Sequence, residues 1–155
     1  MIESGGGECF RFFDGVKQLF DAEHFFRSVI LQDTDALHSF FHADAWVEWK
    51  CTNERFTVEE YIRANCEYPG NWCGAIEKCI CQEGGLILAA KVWPKDESAS
   101  FHVVSFLRLA NGKITAMEEY WSDDGPAPEW RQQMKIGRAI ETAEKQKKFG
   151  EVHQQ

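Results

Sequence analysis

At 155 residues, 44% hydrophobic and 27% charged, the chain has the length and balance of one globular domain rather than a disordered or fibrous polymer. Its net charge is −8 and uneven: residues 1–130 carry 11 basic and 22 acidic side chains, residues 131–155 carry 6 and 3. An acidic body repels phosphate backbones, which argues against nucleic acid as a partner, and no run of 18 apolar residues offers a membrane span.

The chain opens with "MIESGGGECFRFF", a Gly-rich lead (1–13) expected to be disordered, with no basic-then-apolar signal peptide. A cytoplasmic protein is the expectation. From Asp14 to Gln32, apolar residues recur at 16, 19, 20, 26, 29 and 30, a helical spacing. "DTDALHSFFH" adds a short second helix capped by Thr34 or Asp35. "DAWVEWKC" (44–51) alternates as a strand does. In "TVEEYIRANCEY" (57–68), Thr57 and Glu60 form a capping-box pattern at the start of a third helix, which "PGNW" ends.

Four strand-like runs follow, 73–82, 86–94, 99–110 and 113–123, separated by Gly84-Gly85, "PKDES" and the hairpin signal Asn111-Gly112. "DDGPAP" stops the last strand, and a polar helix is expected at roughly 129–148. Helices followed by a meander of strands imply an α+β domain with helices on one face of a curved antiparallel sheet. The domain is expected at 14–125, with a tail at 126–155.

Two stretches, "DTDALHSFFHADAWVEW" and "RLANGKITAMEEYWSDDG", resemble the SnoaL-like branch of the nuclear transport factor 2 superfamily, which includes ketosteroid isomerases and polyketide cyclases. The order of elements is similar from about 20 to 125, and "WR" (130–131) with "KIG" (135–137) resembles the ending of bacterial members. The resemblance implies a cone-shaped barrel, helices packed on its concave face, a homodimer formed through the outer sheet face, and a small organic ligand in an apolar, aromatic-walled cavity. Outward candidates for the dimer contact are Phe101, Val103, Leu107 and Tyr120. This fold hosts several chemistries and also proteins with none, so the resemblance specifies architecture better than activity.

Ketosteroid isomerases use a helix tyrosine, a strand acid and a second acid that shuttles the proton. Carried over, those positions fall on Phe25, Val104 and Trp49. None of the three side chains can do that work, so the resemblance implies that this route is absent.

The chemistry that remains centres on "AMEEYWSDDG" (116–125). Neighbouring strand residues face opposite ways, and the resemblance points Met117, Glu119 and Trp121 inward and Glu118 and Tyr120 outward. If the Asn111-Gly112 turn fixes a continuous register, Val104 lies opposite Glu119 and His102 is its diagonal neighbour. An apolar wall of Val104, Phe106, Met117 and Trp121 would then raise the carboxyl pKa, and His102 with Glu119 would suit cofactor-free acid/base work of the lyase, isomerase or cyclase kind. The same two groups are equally readable as a buried polar pair, and the domain as a non-catalytic ligand-binding or dimerising module.

The resemblance implies a cavity-rim loop at "CTNERF" (51–56), where Asn53 and Glu54 would orient a polar ligand group, though a turn with a helix lead-in reads as well. Trp72 beside the Pro-Gly break, Tyr61 on the third helix, Phe25 and Trp49 complete the candidate lining. No metal site is expected: "HSFFH" lacks the glutamate of His-Glu-x-x-His, and no Cys-x-x-Cys exists. The six cysteines are expected to be reduced.

Overall fold

The computed structural model describes residues 9–13 and 16–140, with side chains from residue 20 onward. The chain divides into two compact units, Met1–Asp124 and Gly125–Gln155. In the first, β1 (Cys9–Phe13) and β2 (Val16–Phe20) pair as an antiparallel hairpin. The helix expected from Asp14 therefore starts later, because Asp21 accepts from the His24 N–H at 2.9 Å and caps α1 (Ala22–Ile30). α2 (Thr34–Phe40) is capped by Asp33, one residue before the expected cap, and buries Leu37.

β3 (Phe41–Trp49) and β4 (Glu54–Thr57) lead into α3 (Val58–Cys66), whose Thr57 and Glu60 form the reciprocal capping box. β5 (Trp72–Gln82), β6 (Gly85–Pro94), β7 (Phe101–Ala110) and β8 (Lys113–Asp123) then make the meander.

The six strands run in the order β4-β3-β8-β7-β6-β5. Two expectations are corrected here. β3 pairs with β8 in parallel, so the sheet is mixed, and β4 and β5 remain as edges, so the curved sheet does not close into a barrel. The parallel pair is possible because the α3–β5–β6–β7 excursion supplies the long crossover that parallel neighbours need.

The helices cover one side. α1 buries Ala22, Phe25, Phe26 and Ser28, the i, i+3, i+4 stripe of an amphipathic helix. It packs on β5, where Gly74 makes room: a Cβ there would lie 2.7 Å from Ile30 Cδ1 and 2.8 Å from Phe26 Cζ. Phe25, Tyr61, Leu107, Met117 and Val47 are among the most buried side chains of the core beneath.

The thiols expected at all six cysteines are found at Cys51, Cys66 and Cys73, whereas Cys81, on edge strand β5, is disulfide-bonded. No helix among the described residues is long and apolar enough to cross a membrane.

In the second unit, α4 (Glu129–Gln133) is a single turn after Pro128. The expected longer helix is interrupted by left-handed backbone at Lys135 and Gly137, and residues 141–148 of that expectation lie outside the described residues.

Candidate functional site

The hairpin joining β7 and β8 decides what faces the core. Its register starts as the Asn111-Gly112 turn dictates, with Ala110 opposite Lys113 and Leu109 opposite Ile114. Then Thr115 is skipped, and Arg108 pairs with Ala116. This β-bulge shifts every later pair by one residue, and a one-residue slip in a strand exchanges its two faces. Ser105 now lies opposite Glu119 and Val103 opposite Trp121. Val103, Ser105 and Leu107 are buried, while Phe106 is exposed.

Three expectations change with that slip. The contact between His102 and Glu119 is not formed, because His102 stands on the convex face, bonded to Glu77 and Asp124. Val104 and Phe106 share that face and do not wall in the acid; Phe106 packs edge-on against Tyr120. Of the outward candidates, Val103 and Leu107 are core residues.

Glu119 itself is 4% exposed. Its Oε1 accepts from the Ser105 hydroxyl at 2.8 Å, and its Oε2 accepts from the indole N–H groups of Trp49 at 2.8 Å and Trp121 at 3.1 Å. Trp49 reaches it because the parallel β3–β8 register sets Trp49 beside Glu119; Trp121 reaches it as the next residue on the same face of β8. Burial pushes the carboxyl pKa up, and the donors Ser105, Trp121 and Trp49 pull against that without cancelling it.

Tyr61 on α3 closes the helix side. Its ring stands edge-on to Trp49 at 6.5 Å and next to Phe41 at 5.5 Å. Burial first, and then the charge of Glu119, push its phenol well above the ordinary value, so it stays neutral. Phe25 joins through Phe41, and Met117 is fully buried one step below Glu119.

The structure therefore brings Glu119, Trp49, Trp121, Tyr61, Met117 and Phe25 into one neighbourhood. Asn53, in the β3–β4 turn with φ +56°, and Glu54, the first residue of β4 and paired with Trp49, are both exposed. Trp72 is half-buried at the start of β5, against Tyr68 and Phe101, and its indole N–H is buried without a partner among the described residues. Ser105 is the residue sequence reasoning missed, and only the bulge brings it to the acid. Among the described residues no His, Cys, Asp and Glu group is arranged to hold a metal.

No protein-family model matches the sequence, and no curated protein does. Solved structures do match. A candidate ketosteroid isomerase from Kribbella flavida is 20% identical over 77% of this chain and 87% of its own, with a TM-score of 0.65. An NTF2-like protein of unknown function from Burkholderia xenovorans is 20% identical over 76% and 91%, with a TM-score of 0.62. A candidate SnoaL-like polyketide cyclase from Shewanella putrefaciens is 15% identical over 64% and 85%, with a TM-score of 0.55. At these identities the likeness is one of architecture, and the chain has the nuclear transport factor 2-like fold.

Proposed function

We propose that the chain binds a small, largely apolar organic molecule on the concave side of the sheet and uses Glu119, without a cofactor, as a lone acid/base toward it. The observation that carries this reading is a buried carboxylate whose partners are unequal. The two indoles only donate, so Oε2 stays an acceptor. The Ser105 hydroxyl can donate to a carboxylate or accept from a carboxylic acid. Glu119 therefore gains or gives a proton at Oε1 with no more rearrangement than the turning of one hydroxyl. Its raised pKa brings that exchange nearer neutrality. Trp49 and Trp121, both half-buried, offer aromatic surface, and the neutral Tyr61 phenol offers a donor. The isomerase- and cyclase-named neighbours suit a carbonyl compound as ligand.

The test uses a panel of small cyclic ketones, followed by quenching of indole fluorescence and by chromatography of the recovered ligand. Saturable quenching with conversion by the native chain, and quenching without conversion by Glu119→Gln, are expected. Conversion at the native rate in that variant overturns the acid/base role; quenching that never saturates overturns the ligand.

A second reading, a dimerising module, is favoured by the convex face. There Phe106, Tyr120 and Ile80 are 38%, 46% and 48% exposed around Val104. Sedimentation should find a homodimer that Phe106→Glu turns into a monomer.

A further inference from the structure

The convex face holds a second polar cluster that ligand binding does not use. β5 is an edge strand, and its pairing with β6 skips one residue: Ile76 lies opposite Ala90 and Lys78 opposite Ala89. Glu77 is thus the extra residue of a β-bulge, and its carboxylate reaches Nε2 of His102 on β7 at 3.1 Å. Nδ1 of the same ring is hydrogen-bonded to Asp124, the residue after β8. Asp124 also accepts from the Ser100 hydroxyl at 2.6 Å, and its N–H donates to the Ser100 carbonyl at 2.9 Å. Across from His102 stand Lys91 on β6, whose charge acts on Asp124, and the uncharged Ser122 on β8.

A neutral imidazole has one N–H, and two carboxylates on opposite ring nitrogens need two. We propose that Glu77, His102 and Asp124 form a proton-operated clip that fastens the bulge of edge strand β5 across the sheet to the end of β8. The clip is closed while the ring carries two protons and releases one carboxylate when it carries one. The released partner is Glu77. Asp124 keeps Ser100 as a donor, whereas Glu77 has no other hydrogen bond among the described residues.

The Asp124 carboxylate, and then Glu77, hold the imidazole above its ordinary value against the opposing effect of partial burial. Asp124, although partial burial alone would raise it, is brought below the usual carboxylate range by Ser100 and His102. A folded-state pKa above the unfolded one means the closed form belongs to the acid side and is lost as pH rises through the raised value.

The test is an NMR titration of the His102 ring, with amide-exchange protection at residues 76–78 corrected for the intrinsic pH dependence of exchange. In the native chain the ring should titrate above about 6.5. Protection at the bulge should fall about two- to fivefold across that titration, the scale of a half-exposed ion pair. Asp124→Asn and Glu77→Gln should each lower the ring's midpoint, and Glu77→Gln should leave bulge protection flat with pH. A ring titrating at or below its ordinary value overturns the clip, as does native protection that ignores pH, or the same fall in Glu77→Gln.

Discussion

The two faces of the β7–β8 hairpin solve different electrostatic problems. On the concave face a lone carboxylate is buried among neutral donors, and desolvation lifts its pKa. On the convex face a half-exposed imidazole is flanked by two carboxylates, and charge lifts its pKa. The direction is shared and the cause is not. The concave group is governed by what it was removed from, the convex group by what it was placed beside, so energies on the first should be large and insensitive to salt, and on the second small and screened.

The widest gap between the faces should appear on deletion. Glu119→Leu leaves two indole N–H groups and a hydroxyl without their acceptor, and urea denaturation should record a loss of about 3 kcal/mol. Trp49→Phe removes one donor and should cost about 1–2 kcal/mol, while a carboxyl infrared band should follow the Glu119 pKa still higher.

The pH dependence sharpens the contrast further. Because the folded pKa of Glu119 is raised, the folded chain binds more protons than the unfolded one between the ordinary carboxyl value of 4.5 and the raised one. Stability from this group is therefore full below that window and falls as pH climbs through it. Glu48, Glu67 and Asp96, lowered by Lys50, Arg63 and Ser98 respectively, contribute the opposite slope. The difference between native and Glu119→Gln curves isolates the buried acid. The smallest effect belongs to His102→Gln, which should change stability at pH 6 by less than about 1 kcal/mol and lose even that in high salt.

Much of the fold is legible in the chain. The capping box at Thr57 and Glu60, the hairpin at Asn111-Gly112 and the four strand runs all appear where short-range chemistry puts them. The alternation in "AMEEYWS" sets Glu118 and Glu119 on opposite faces, the resemblance points Glu119 inward, and Glu119 is the one buried. What was hidden has a common origin in contacts distant along the chain. Apolar spacing at 16, 19 and 20 suits a helix, yet Val16–Phe20 pairs with Cys9–Phe13. Likewise the turn residues fix the first two pairs of the last hairpin correctly, and nothing in "KITAME" announces that Thr115 will be passed over. The candidate site was therefore half visible: its acid and both indoles, but not its hydroxyl.

The skipped threonine also bears on how such a chain can change over generations. Removing that one position would restore an even ladder and still leave Ser105 opposite Glu119 and Val103 opposite Trp121, because Thr115 has no counterpart on β7. A single codon lost at the hairpin's shoulder is thus an edit that the interior does not register: the lining residues keep their faces, and chain length can drift there while the architecture holds.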